Sequence, residues 1–394
     1  MRRLVSVLFV CALLAGCSGS RPEGSNSLAP VTPYGAVPLY NAAGHINYLA
    51  ERATYLGGTY PLRNRRDRAL EVLVLSGGGS NGAFGAGVLV GWSQSGKRPS
   101  FDIVTGISTG ALMAPFAFLG EAYDEQLTTL YTETSDAGVY TSRGPLGILQ
   151  VSLNDTSPLR AHLYEVITDD LLDKIAVEHA KGRRLYVGTT DLDTGEAVTW
   201  DIGGIAASNK ADRRTRFAHI LLASAAVPGI FNPVFIEGGE GRGAHMHVDG
   251  GVKAPLLLRD FMLAGNYRTK RVYFIINSCM CLRNIKEPVE PSFVAVTKKS
   301  IEEIMRSFLY RALQTGIIMT RNAGATPSIQ FIPDEVTPPD ALNFDPVAMR
   351  ELFEVGRTAG KNPVSWRSDP PRAQRFLWHR AVARRNNSIS TGYQ

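Results

Sequence analysis

The chain has 394 residues, 44% of them hydrophobic and 20% charged, a balance that suits a globular protein with a full core and excludes disorder as the default state. Its formal net charge of +6 shrinks once Arg2 and Arg3 leave with a leader and is too small to argue for nucleic acid as a partner. No internal repeat at a solenoid or propeller period is apparent, so one α/β domain is expected from Tyr40 to Lys361.

Residues 1–16 join two arginines to an apolar run, Leu4 to Leu14, and then to small residues. This run is too short for a spanning helix and reads as a secretory signal. Its end, Leu14-Ala15-Gly16-Cys17, resembles the lipobox of bacterial lipoproteins. That resemblance implies lipidation of Cys17 as the first mature residue, with the membrane surface as a partner through the anchor. Ser18 points, by analogy with enterobacterial lipoproteins, to the outer membrane or the periplasmic face of the envelope. Ser18 to Pro38 is rich in Ser, Pro and Gly, so residues 17–39 read as a flexible tether. Cleavage leaves Cys279 and Cys281 as the unlipidated cysteines. A bridge across one residue is strained, so two buried thiols are expected, with pairing left open in an oxidising compartment.

Leu70 to Leu75 reads as a buried strand and Ala83 to Ser95 as a helix closed by Gly96. Phe101 to Thr105 is a second strand, followed by a glycine turn and an apolar helix, Ala111 to Leu119. Helical periodicity returns over Glu121 to Tyr131 and over Ser157 to Lys181, with Ser157 and Pro158 as N-cap and first-turn residue. Arg184 to Thr190 and Glu196 to Ile202 flank the hairpin signal Asp193-Thr194-Gly195. His245 to Val248 is a strand ending at Asp249-Gly250-Gly251. Arg271 to Asn277 is another strand, Phe293 to Thr320 the longest helix, and Ser328 to Ile332 a late strand. Residues 362–394 form a basic tail, in which a short surface-binding helix over Gln374 to Arg384 is the alternative to a solvated segment.

The pentapeptide Gly106-Ile107-Ser108-Thr109-Gly110 is a G-x-S-x-G turn. Its glycines remove side chains where backbones crowd, and the serine is thrust out at a helix N-terminus, which is the geometry of an activated nucleophile. The preceding strand end, Gly77-Gly78-Gly79, offers bare backbone N–H groups where a carbonyl oxygen would develop negative charge, an oxyanion hole. Gly77 to Gly82 also fits the G-x-G-x-x-G of dinucleotide sites, but no acidic residue ends a strand at the required distance, and no Gly-Lys-Ser/Thr follows for a phosphate loop. His245, His247 and Asp249 share one face of a strand and could meet a metal. The pattern resembles part of the metallo-β-lactamase ligand set, yet Gly250 stands where the final histidine belongs, so no metal is expected and the histidines are read as flanking the strand end.

Gly-rich loop, G-x-S-x-G and a late Asp-Gly-Gly, in this order and each at a strand end, resemble the patatin-like phospholipase family. The resemblance covers about Leu70 to Pro255 and extends to AVTWDIG and to Ala223 to Val234. It implies a three-layer α/β sandwich with a mostly parallel central sheet, helices on both faces, and the active site at the strand C-terminal ends. It further implies Ser108 as nucleophile, Asp249 as its partner in a Ser-Asp dyad, and the backbone of Gly77, Gly78 and Gly79 as oxyanion donors, with Gly82, Gly106, Gly110, Gly250 and Gly251 shaping the turns. The implied activity is hydrolysis of phospholipid or other acyl esters, without cofactor. One departure is plain: Asn81 stands where many members carry Arg or Lys, so a cation at the oxyanion or at a phosphate is missing. Two alternatives stay open, an α/β-hydrolase triad using His379 and a catalytically silent surface lipoprotein that keeps the fold for binding. The sequence carries no signal for oligomeric state.

Overall fold

Leu70 to Leu75 sends apolar side chains alternately to two sides, as a strand covered on both faces must. The computed structural model describes residues 36–37, 65–144, 147, 150–237, 243–280 and 288–369. Its strands are β1 (Ala36–Val37), β2 (Arg65–Leu75), β3 (Ile103–Gly106), β4 (Thr141–Ser142), β5 (Asn154–Asp155), β6 (Arg184–Asp191), β7 (Glu196–Asp201), β8 (Val234–Glu237), β9 (Ala244–Asp249), β10 (Tyr267–Cys279) and β11 (Thr326–Ile332). Its helices are α1 (Gly82–Gln94), α2 (Thr109–Leu119), α3 (Asp124–Thr132), α4 (Asp136–Val139), α5 (Ser157–Val166), α6 (Asp169–Ala180), α7 (Ile202–Ala206), α8 (Arg213–Ser224), α9 (Phe293–Asn322) and α10 (Pro346–Lys361).

The central sheet runs β1-β7-β6-β3-β2-β10-β11, and β4 with β5 forms a separate hairpin. The four pairs from β6 across to β11 are parallel, whereas β1, β7 and the pair β8-β9 run antiparallel to their neighbours. Leu73 and Leu75 of β2 enter one core with α1, α2 and α10. Leu70, Val72 and Val74 enter the other with Leu256 to Leu258 and with Leu309, Leu313 and Ile317 of α9. Helices therefore cover both faces, and the mostly parallel three-layer sandwich is present. No helix among the described residues is long and apolar enough to cross a membrane.

The seven strands expected from the sequence correspond to β2, β3, β6, β7, β9, β10 and β11, though the expected Phe101 to Thr105 begins before β3 and Glu196 to Ile202 runs one residue past β7. The expected helix from Ser157 to Lys181 is two helices. Between them Thr168 turns extended and its side chain accepts from Leu171 N–H at 3.2 Å, an N-cap that restarts the helix. Ser157 is not the N-cap of α5: Thr156 holds that position, and the Ser157 hydroxyl donates to Asp155 Oδ1 at 2.9 Å instead. The elements β8, α8 and α10 were not expected. Cys279 is disulfide-bonded, which corrects the expectation of a free thiol there. The register of β10 against β11 breaks between Ile276 and Cys279. Cys281, the signal segment, Cys17, most of the tether and residues 370–394 lie outside the described residues.

The closest helix contact joins α1 to α10. Gly87 and Gly91 on one and Gly356 and Gly360 on the other are each four residues apart, and a Cβ at any of them would overlap a backbone carbonyl oxygen of the opposite helix. Replacing Gly87 by Val forces the helices apart and is expected to cost about 3 kcal/mol of unfolding free energy. With Gly356→Val added, the two costs should sum to less than their total, because one separation relieves both clashes. Urea unfolding of the two single variants and the double variant measures this, and strict additivity would contradict the shared contact.

Candidate active site

Two strands compete for one edge of β6, and this brings the distant motifs together. β7 occupies one edge over Tyr186 to Asp191. On the other, β3 pairs with Arg184 to Val187 and then stops, and β9 takes over against Thr189 to Asp191. Asp249, opposite Thr189, therefore sits just past the end of β3, where the chain turns out through Ile107 and Ser108.

Ser108 is the one non-glycine residue among those described with positive φ, at φ 55° and ψ −126°. A side chain in that region stores backbone strain, the condition expected of a nucleophile presented on a sharp strand-to-helix turn. The turn is tight because its glycines permit it: a Cβ on Gly110 would lie 2.6 Å from the carbonyl oxygens of Leu75 and Ser76. Ser224 holds the turn from below, its hydroxyl accepting from Ser108 N–H at 3.0 Å and donating to Gly188 O at 2.7 Å.

Asp249 is fully buried. Its Oδ1 accepts from Gly251 N–H at 2.7 Å, while Oδ2 is buried without a hydrogen-bond partner. Burial pushes this carboxyl from 3.8 up to about 6, against the opposing pull of the Ser108 hydroxyl and the Gly251 N–H. The backbone of Gly77 packs against the serine, since a Cβ there would lie 3.1 Å from Ser108 Cβ and 3.7 Å from its Oγ. Gly79 takes φ 57°, and the loop is pinned by Ser80 N–H donating to Ala341 O at 2.9 Å. Among the described residues the N–H groups of Gly77, Gly78 and Gly79 have no acceptor. Gly82, where α1 starts, leaves room for the Thr109 side chain, and Gly250 passes against the Gly188 carbonyl.

Gly77, Gly78, Gly79, Ser108, Asp249 and Gly251 line one cavity of about 1100 Å³. Leu112, Phe116, Leu163, Ile230 and Phe231 give it apolar walls; Phe84 lies in the core instead. Asn81 and Asn277 belong to the same lining, but their Oδ1 atoms are buried without partners, Asn277 Oδ1 against Gly85 of α1. Sequence reading missed Ser224 and Asn277. Asn277 backbone N–H donates to Ser76 Oγ at 2.8 Å and its Nδ2 to Ser76 O at 2.9 Å, fixing the start of the glycine loop. Only Ser224 had a local signal, since it lies in the Ala223 to Val234 segment.

The histidines of β9 are committed elsewhere. His247 shares a hydrogen bond with Thr189 Oγ1 at 3.0 Å, lies edge-on to Trp200, and is held near 4, and so neutral, by burial. His245 Nδ1 faces Asp191 Oδ2 at 2.7 Å. The donor set with metal-like proximity among the described residues is Asp191, Asp193 and His245, within 4.8 Å, and not the expected face of His245, His247 and Asp249. Its atoms already serve the hairpin: Asp191 Oδ1 accepts from Asp193 N–H at 2.9 Å and Asp193 Oδ2 from Met246 N–H at 2.9 Å. His379 lies outside the described residues.

Ser224→Ala would leave the buried Ser108 N–H without an acceptor, and an expected loss of about 2 kcal/mol in chemical unfolding follows. Ser224→Thr, which keeps the hydroxyl, should lose less; equal losses would mean that the hydrogen bond is not what matters.

No curated protein matches the sequence. The crystal structure of VipD from Legionella pneumophila is similar over 86% of this chain and 73% of that one, at 12% identity and a TM-score of 0.29, a looseness at which no detail of the site transfers. Residues 73–262, which contain the glycine loop, the strained serine and the buried aspartate, match the family profile of patatin-like phospholipase. Over these residues, close to half of its length, the chain is similar to patatin-like phospholipase.

Proposed function

We propose that the protein is a serine acyl hydrolase acting on lipid esters through a dyad of Ser108 and Asp249. The observation that carries this reading is the fully buried Asp249 carboxyl beside a strained serine, at the floor of an apolar cavity. An aspartate of ordinary pKa, roughly 4, is a poor base toward a hydroxyl, and burial that lifts it to about 6 improves the match.

In this mechanism Ser108 Oγ attacks the ester carbonyl carbon as its proton passes to Asp249. The carbonyl oxygen becomes an oxyanion that accepts from the unpaired N–H groups of Gly77 to Gly79. The C–O bond then breaks and the alcohol leaves with the proton from Asp249. Water attacks the acyl-enzyme, Asp249 takes its proton, the fatty acid departs, and the proton returns to Ser108. The apolar walls suit an acyl chain.

Location belongs to the same proposal: a lipid anchor at Cys17 holds the domain at the periplasmic or outer-membrane face of a bacterial envelope. The lipobox-like segment and the disulfide-bonded Cys279 support it, since such bonds persist in oxidising compartments. Cys17→Ser is expected to release most of the protein from the membrane fraction in carbonate washes. Undiminished retention would contradict an anchor at this residue.

The dyad sets the pH dependence. Only ionised Asp249 can take the proton, so kcat/KM on a soluble short-chain ester should rise through about pH 6 and level off above it. Stability should move the other way. The folded state holds this proton more tightly than the unfolded one, so between 3.8 and about 6 stability falls as pH rises, by about 3 kcal/mol in all. Asp249→Asn should abolish hydrolysis as completely as Ser108→Ala and also remove that part of the stability profile. His379→Ala should stay within a few-fold of wild type, whereas in a triad loss of the imidazole costs roughly a thousandfold or more. An inactive His379→Ala beside an active Asp249→Asn would refute the dyad.

A further inference from the structure

Helix α9 buries Leu309, Leu313 and Ile317 in the core, yet it also exposes apolar side chains on its outer face. Ala295, Lys298, Glu302, Met305 and Leu309, three or four residues apart, line the cavity with one face. At about 100° per residue, the opposite face carries Phe293, Val296, Ile304, Phe308 and Ile318, which are 72%, 50%, 67%, 38% and 58% exposed. A helix on a soluble domain turns its apolar stripe inward and its charges outward. Here charged residues look toward the cavity, with Lys298 paired to Asp340 at 2.6 Å, and a second apolar stripe looks out. Single exposed apolar residues are ordinary, but five of them on one face of one helix mark a surface that meets something.

We propose that this face of α9 docks onto an anionic lipid bilayer, an inference that rests on reading the cavity as a site for lipid acyl esters. Such esters reside in a bilayer, and α9 stands between the cavity and whatever its outer face touches. Docking would therefore set the wall of the cavity at the source of substrate. Charge favours an anionic bilayer: exposed Arg311 lies on the apolar stripe, where it can reach headgroup phosphates, and no Asp or Glu shares that face, since Glu302 and Glu303 line the cavity. A second copy of the chain would instead bring an Arg311 from each partner to the same face with no acid to pair either.

The test uses the full-length chain with Cys17→Ser, so that no lipid anchor contributes, and a companion that adds Phe293→Ser, Ile304→Ser and Phe308→Ser. Flotation with vesicles of phosphatidylglycerol and phosphatidylcholine is expected to weaken about tenfold or more in the companion, while hydrolysis of a water-soluble short-chain ester stays within about twofold. Should circular dichroism show the companion unfolded, Ile304→Glu alone carries the same expectation. Equal flotation of the two chains would overturn the proposal. So would a concentration-dependent dimer in sedimentation velocity that the substitutions abolish while neither chain floats, because the face would then belong to a second copy. If neither chain hydrolyses the ester but flotation still depends on the stripe, the hydrolase reading fails and the docking surface stands.

Discussion

The structure depends on a carboxyl group buried at the point where one strand stops and another takes its place. β3 is four residues long and leaves the upper edge of β6 unpaired; β9 fills it from the opposite direction and delivers Asp249 past the end of β3. The chain emerging from β3 must turn there, and the residue at the turn is Ser108. Serine and aspartate meet because of sheet geometry, although 141 positions separate them in the numbering.

Holding that carboxyl in place is costly, and its surroundings show how it is offset. Gly251 N–H satisfies one oxygen, Thr190 Oγ1 and Ala226 O secure the backbone of Asp249, and the second oxygen is left without a partner. An unpaired buried acceptor is unfavourable for folding and useful for chemistry, because it is available to a proton. The same trade recurs at Ser108, whose positive φ is held by the Ser224 hydrogen bond from beneath, and at the glycine loop, whose N–H groups have no acceptor among the described residues. Ser108 with its strained backbone and Asp249 with its unpaired oxygen line one cavity, while the two cores on either side of the sheet are built of buried apolar side chains.

What was legible in the sequence was what local geometry dictates. Gly106 and Gly110 flank the serine because the turn brings backbone against backbone within five residues. The nearly unbroken apolar run from Leu70 to Leu75 reads as a buried strand for the same local reason. Ser224 and Asn277 escaped notice because their partners, Ser108 and Ser76, are 116 and 201 residues away. Helix α10 was missed although its signals are local, with Asp345 and Pro346 at its start and Met349, Leu352 and Phe353 at helical spacing. The split between α5 and α6 turned on one threonine acting as a cap, and the histidines of β9 were assigned correctly to one face while their actual partners, Thr189 and Asp191, lay on another strand.

The central claim is that Ser108 is a nucleophile made reactive by its position. The most direct measurement is covalent labelling of the intact protein with a serine-directed fluorophosphonate, followed by peptide mass spectrometry. The account predicts a single adduct on Ser108 that forms faster above pH 6 than below it and fails to form once Asp249 is replaced by Asn. An unlabelled Ser108, or an adduct on a different serine, would contradict it.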